Sequence, residues 1–280
     1  TKAWGGRFYG ILSIPKKDIR TTTVKIETEN GAKAMGRPQG VYITLEAPNM
    51  SVPDEDYHRE ISKELAKHIR KLVPMEKELT ALVVGLGNRE VTPDALGPDV
   101  VSNLRITRHV IQEYGVQSMG REYANSISGL VPGVMAQTGM ETLEIIKGVV
   151  DETKPDVVFA VDALAARSTK RLNRTIQITD TGINPGSGVG NHRNGLSEET
   201  LGVKVIGIGV PTVVDAATIV QDSMAHLLDT LEESEKKEFL EEMIAPSLHS
   251  MFVTPKDVDE TVKRLSYTIS EGLNMAFEQA

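Results

Sequence analysis

Two aspartates stand where two apolar runs of strand length give way to loops. Asp94 lies in Gly85-Leu-Gly-Asn-Arg-Glu-Val-Thr-Pro-Asp-Ala-Leu-Gly-Pro98, which follows Thr80-Ala-Leu-Val-Val-Gly85. Asp162 follows Val157-Val-Phe-Ala-Val161 directly, as a cap on the carboxyl end of that run. Runs of this kind read as strands buried on both faces. In open α/β sheets, sites form in the crevice outside the carboxyl ends of the strands. Two carboxylates that converge there cannot both ionise easily, so one keeps a proton. The ionised one then activates a water, and the protonated one donates to a carbonyl oxygen or a leaving amine. Such a pair hydrolyses a peptide bond without a thiol, a hydroxyl nucleophile or a metal, and titrates as one coupled unit. Taken singly, Asp94 also reads as a helix N-cap and Asp162 as a solvated acid at a strand end.

The elements that position these acids follow from periodicity. Residues 22–29 and 41–46 alternate and are β-branched, which predicts half-exposed antiparallel strands. Ile61, Leu65, Ile69 and Leu72 repeat at helical steps within 54–72, ahead of Pro74. Helices are also predicted over about 97–114, 138–152, 214–228, 232–243 and 256–278. Further strands are expected at 175–179 and 203–210. In the 138–152 helix, Met140 is expected to point inward with Leu143, Ile146, Val149 and Val150, and Met135 and Met140 read as core fillers. Strands alternating with helices imply an α/β three-layer sandwich: a mostly parallel central sheet flanked by helices, plus an N-terminal antiparallel β element. The chain reads as a single domain over 1–280. Residues 1–20, broken by Gly5, Gly6, Gly10 and Pro15, read as an arm with little core.

Composition narrows the function classes. The 280 residues hold 39 acidic and 31 basic side chains, a formal net charge of −8, and no cysteine. A nucleic-acid binder needs clustered cations, so neither nucleic acid nor a membrane surface is an expected partner. Thiol nucleophiles, disulfides and zinc–thiolate sites are excluded. No apolar run reaches the roughly 18 residues of a membrane span. No signal peptide is recognised, and a chain beginning at Thr1 suggests a processed or trimmed form.

Other motifs give weaker signals. Asp180-Thr-Gly182 has the form of an aspartic-protease signature but occurs once, and turn chemistry explains it. Gly85-Leu-Gly87 lacks the third glycine of a dinucleotide motif, which falls on Glu90, so its glycines are expected to serve a tight turn. Gly186-Ser-Gly-Val-Gly190 has no following Gly-Lys-Ser/Thr and reads as a loop beside the cleft, with His192 after it. Asn88, Arg167 and Asp215 are candidate substrate-binding residues. Arg167 suits an acidic substrate group, and Asp215 also suits a helix cap.

Several longer strings carry a resemblance. Val84-Gly-Leu-Gly-Asn88, Thr92-Pro-Asp-Ala-Leu-Gly-Pro98, Leu104-Arg-Ile-Thr-Arg-His109 and Leu130-Val-Pro-Gly-Val-Met135 occur in order. Val161-Asp-Ala-Leu-Ala-Ala-Arg-Ser168, Asn184-Pro-Gly-Ser-Gly-Val-Gly-Asn191, Gly209-Val-Pro-Thr-Val-Val-Asp-Ala216 and Met251-Phe-Val-Thr-Pro-Lys-Asp-Val-Asp259 continue them. From about residue 20 to 278 the chain resembles the spore germination proteases, which are related in fold to hydrogenase maturation proteases. The resemblance implies an atypical aspartic endopeptidase with Asp94 and Asp162 as catalytic pair. It also implies no cofactor, a self-processing zymogen, a homotetramer, and a cytoplasmic place in the spore core. Small acid-soluble spore proteins are the implied substrates, with cleavage after an acidic residue and before a small aliphatic one. The stretch at 225–235 is shorter than the family pattern, as though a loop were shortened or missing. A nickel-dependent hydrogenase-maturation-type protease and a non-catalytic binding module on the same scaffold are the alternatives.

Overall fold

The computed structural model describes residues 8–16, 18–75, 78–120, 122–185, 194–228 and 246–278. The chain runs β1 (Phe8–Lys16), β2 (Ile19–Ile26), α1 (Glu29–Met35), β3 (Gly40–Glu46), α2 (Glu55–Leu72) and β4 (Thr80–Gly85). Then come α3 (Leu96–Ser102), α4 (Arg108–Tyr114), β5 (Ser126–Leu130), α5 (Met135–Thr138), α6 (Thr142–Thr153) and β6 (Val157–Ala166). The last elements are β7 (Thr175–Thr179), α7 (Glu198–Leu201), β8 (Lys204–Asp215), α8 (Ala216–Leu228), β9 (Phe252–Val253) and α9 (Val258–Phe277).

The strands form one mixed sheet of order β1-β2-β3-β7-β8-β6-β4-β5, with β9 pairing β8. Its interior is parallel, β8 with β6, β6 with β4 and β4 with β5. The N-terminal strands and β7 run antiparallel beside it. Alternation divides the buried side chains between two faces. Ala81, Val83, Val157, Phe159, Val161, Ile206 and Ile208 join Ile61, Leu65, Ile69, Leu96, Leu265 and Ile269 from α2, α3 and α9. Leu82, Val84, Val158, Ala160 and Val205 join Ile146 and Val150 of α6 and Leu201 of α7. Helices on both faces make the three-layer sandwich that the sequence implies.

α2 shows why these residues form these elements. The Asp54 carboxylate accepts from the Tyr57 amide at 3.0 Å and caps the helix, and Tyr57, Ile61, Leu65, Ile69 and Leu72 bury one stripe. The stripe lies on α9, where Gly272 has no room for a side chain: a Cβ there would sit 2.7 Å from Leu65 Cδ2. Each such fully buried Leu or Ile contributes about 1.5–3 kcal/mol. Phe159 from the middle of β6 meets the Phe277 ring edge-on, with centroids 5.4 Å apart, and so ties the sheet to the end of α9.

The structure corrects several expectations. Residues 8–16 form an edge strand, not an arm; Pro15 is tolerated because the β1–β2 register shifts between Ser13 and Lys16. The helix expected over 97–114 is two helices, α3 and α4. Met135 and Met140 are 39% and 49% exposed, so neither fills the core. Thr138 marks a separate short helix, and α6 starts at Thr142, which turns Met140 away from the apolar stripe. The helix expected at 232–243 and most of the shortened loop at 225–235 lie outside the described residues.

Candidate functional site at the carboxyl edge of the parallel sheet

The loop carrying Asp94 is anchored by close backbone approaches. β4 ends at Gly85, opposite Val161 of β6. The next amide, Leu86 N–H, donates to the Val161 carbonyl at 2.8 Å, so the loop leaves β4 already tied to the residue before Asp162. The first turn of α3 folds back onto that junction. A Cβ on Gly97 would lie 2.4 Å from the Leu86 oxygen and 2.5 Å from the Val161 oxygen, and one on Gly85 would lie 2.2 Å from the Gly97 oxygen. Only glycine fits at either place.

Asp94 itself ends a single 3₁₀ turn, Thr92–Asp94, that lies against β6, β8 and α9. The Asn88 amide donates to Asp94 Oδ2 at 2.6 Å. Gly87, at φ +114°, brings its Cα so close that a Cβ would sit 2.0 Å from the Asp94 carbonyl oxygen. The glycines of Gly85-Leu-Gly87 therefore serve a tight turn around the Asp94 carboxylate, as the sequence predicts. Thr212 supports the turn from below. Its hydroxyl donates to the Pro93 carbonyl at 2.7 Å. It does so from an irregularity in the β6–β8 ladder, where Leu164 pairs Pro211 but Ala165 pairs Val213. Bulges of this kind re-aim one side chain beside a site.

Asp162 is 5% exposed and does not end its strand, since β6 continues to Ala166. It is the first residue of β6 beyond the end of β4, with Gly209 of β8 as its partner on the other side. The strand therefore has no β4 partner there, and the 3₁₀ turn of Asp94 contacts both β6 and β8. Val161 points into the α2–α9 core, so Asp162 faces the opposite side, with Ala160 and the α6–α7 layer. Both aspartates thus belong to the carboxyl edge of the parallel strands.

The other candidates are placed as follows. The Asn88 side-chain oxygen accepts from Glu90 N at 3.0 Å and from Gln137 Nε2 at 3.0 Å, which links the Asp94 loop to α5. Arg167 is exposed, one residue past the end of β6. Asp215 caps α8: Thr218 donates to it from its amide at 2.7 Å and from its hydroxyl at 2.8 Å. Asp180 accepts from the Val41 amide at 2.7 Å and so fastens the β7 turn to β3, the role of a turn residue. His109 is exposed on α4, and the glycine run 186–190 with His192 lies outside the described residues. Among the described residues, no group of three His, Cys, Asp or Glu side chains is arranged to hold a metal ion. Among the same residues, no helix is long and apolar enough to cross a membrane.

Sequence reasoning missed Thr212 and Gln137. Pro211 inside a strand pattern is a signal for the irregularity that aims Thr212, whereas nothing local to Gln137 announces its bond to Asn88.

The model of the germination protease family matches residues 11–231 and 226–280. The chain belongs to the germination protease family. The match divides at 226–231, inside the stretch that reads as shortened. A germination protease from Caldanaerobacter subterraneus is 47% identical, covering 94% of this chain and 86% of that relative. Germination proteases from Clostridium tetani and Bacillus subtilis are 46% and 39% identical, covering 94% and 93% of this chain and 86% and 84% of theirs. Among solved structures, a [NiFe] hydrogenase maturation protease from Thermococcus kodakarensis aligns with 72% of this chain and 97% of its own, at 16% identity and a TM-score of 0.34. Membership makes this chain a peptidase of spore germination, a hydrolase acting on protein substrates.

Proposed function

We propose that this germination protease cuts peptide bonds with Asp94, Asp162 and one water. The observation that carries the reading is a buried Asp162 just beyond the end of β4, on a strand that the anchored Asp94 turn contacts. The Asn88 amide is a donor that an ionised carboxylate accepts, which suits Asp94 to the base role. The buried place of Asp162 at the strand edge, shielded from bulk water, is where a donor to the carbonyl oxygen belongs, and it takes the acid role. Asp94 takes a proton from the water as its oxygen attacks the scissile carbonyl carbon. The Asp162 proton passes to the carbonyl oxygen. Collapse of the tetrahedral intermediate breaks the C–N bond: the proton held on Asp94 goes to the leaving nitrogen, and as the C=O bond re-forms the hydroxyl proton returns to Asp162.

Family membership supports the finer expectations: small acid-soluble spore proteins as substrates, cleavage after an acidic residue, a self-processing zymogen, a tetramer, and action in the spore core. The test is incubation with purified small acid-soluble spore proteins, with the fragments read by mass spectrometry. Discrete fragments ending in acidic residues are expected from the wild type, and none from Asp162→Asn. Cleavage that appears only after nickel is added would favour the maturation-type alternative. No fragments under any autoprocessing condition would favour a binding module.

A further inference from the structure

The face of the sheet that carries Asp162 changes character beyond β8. Over β4, β6 and β8 it is covered by α6 and α7. Over β2, β3 and β7 it carries a cavity of about 200 Å³. Val24, Met35, Arg37, Tyr42, Arg171 and Gln177 line it. The two arginines come from distant parts of the chain, Arg37 just after α1 and Arg171 from the 3₁₀ turn Thr169–Arg171. The exposed Arg37 stacks over the Tyr42 ring, 5.3 Å from its centroid. The Arg171 turn is held in place by Asp222 of α8, which accepts from the Thr169 amide at 2.6 Å and from the Thr169 and Ser168 hydroxyls. Among the described residues, neither arginine has an acidic partner within 4.0 Å. Two cations lining one cavity stand out on a chain of net charge −8.

Register ties this cavity to the candidate catalytic edge. Asp162 pairs Gly209, Gly209 pairs Gln177, and Gln177 pairs Thr44. These residues form one row across the sheet and share one face. The step between the acid and the cavity is a glycine. A Cβ on Gly209 would meet Leu164 Cδ1 at 2.5 Å, so the half-exposed Leu164 forms a low apolar floor there. Two strand spacings separate Asp162 from Gln177, about 10 Å, which an extended peptide spans in roughly three residues.

We infer that the Arg37–Arg171 cavity is a substrate subsite for an acidic side chain, three or more residues from the scissile bond of an extended peptide. The position relative to the scissile bond rests on the reading of Asp162 as catalytic; the binding chemistry does not. A guanidinium fork matches a carboxylate, and the Val24 and Met35 that line the same cavity match the stem of a glutamate.

The test uses the full chain carrying Asp162→Asn and fluorescence anisotropy with a labelled twelve-residue peptide of alternating Glu and Ala. A Gln-for-Glu peptide and a fifteen-nucleotide oligo(dT) are the comparisons. The Glu peptide is expected to bind at least tenfold tighter than the Gln peptide and the oligonucleotide. R37Q/R171Q is expected to weaken it about tenfold, and R37K/R171K to weaken it less. On an otherwise wild-type chain, R37Q/R171Q is expected to raise KM for an acidic protein substrate about tenfold with kcat kept. Unchanged Glu-peptide binding in folded R37Q/R171Q overturns the inference, as does equal binding of the Gln peptide or of oligo(dT). A change in assembly mass in sedimentation, with no peptide bound by the parent, overturns it in favour of an interface between copies. Should R37Q/R171Q not fold, R171Q alone decides, with a loss of about threefold expected and no loss overturning the inference. Loss of peptide binding in R37Q/R171Q while D162N still cuts would strike the catalytic pair and leave the subsite standing.

Discussion

Gly87 and Asp94 are in backbone contact: the place a Cβ on Gly87 would take is 2.0 Å from the Asp94 carbonyl oxygen and 3.0 Å from its Oδ1. The loop between them closes on itself, and the Asn88 amide completes the closure with its 2.6 Å bond to Asp94 Oδ2. The position of one candidate catalytic carboxylate is thereby set by a glycine and a main-chain amide.

Gly87→Ala should therefore damage activity more than stability. The substitution meets both a clash and a φ of +114°, a strain of about 1–3 kcal/mol. The loop relieves it by moving Asp94. Denaturant unfolding should show a loss in that range, while kcat falls at least tenfold. Full activity in the variant would show that the anchored turn does not matter.

Gly97→Ala should act on the fold. Its Cβ would press on two backbone oxygens, of Leu86 and Val161, that cannot rotate away. A loss of about 1–3 kcal/mol is expected from overpacking, read as a lower midpoint at unchanged denaturant slope.

Thr212→Val keeps the shape and removes the hydroxyl that donates to the Pro93 carbonyl. The half-buried Pro93 carbonyl then lacks its donor, which costs about 0.5–1.5 kcal/mol. A fall in kcat with KM kept is expected, because the turn that carries Asp94 loses its support. Thr212→Ser should restore most of it.

His68 on α2 gives a pH prediction. Burial, aided by the nearby Lys71, lowers its pKa to about 4, and its buried Nε2 has no hydrogen-bond partner among the described residues. The unfolded chain, with an ordinary histidine, binds the proton more tightly than the folded one. This contribution to stability is thus present above about pH 6.5 and is lost as pH falls toward 4, by up to about 3 kcal/mol at 1.36 per unit. His58, also lowered by burial, adds in the same direction. His68→Leu should flatten the acid side of the stability profile relative to wild type. Parallel profiles between pH 7 and 4.5 would contradict this.

The fold was legible where side-chain pattern carries it. The run at 80–85 is β4 with the same bounds, and the stripe Ile61, Leu65, Ile69, Leu72 is the buried face of α2. Illegibility begins where backbone geometry decides. The alternation at 8–16 is interrupted by Gly10 and Pro15, so the edge strand shows only through its pairing with β2. Asp162 reads as a strand end because the apolar run stops at Val161; β6 continues past it because β8 remains as a partner. Asp94 and Asp162 were readable through the strings around them. Thr212, Arg37 and Arg171 were not, since a bulge and a sheet register bring them into play.

The central claim is that Asp94 and Asp162 act as one unit. The measurement that meets it most directly is kcat/KM on a purified small acid-soluble spore protein for Asp94→Asn, Asp162→Asn and the double variant, each matched to wild type in assembly and unfolding midpoint. Each single variant is predicted to lose about 10³-fold or more, and the double variant to lose no more than either alone, as residues of one catalytic unit do. Either single variant cutting at the wild-type rate, or losses that multiply in the double variant, would contradict the account.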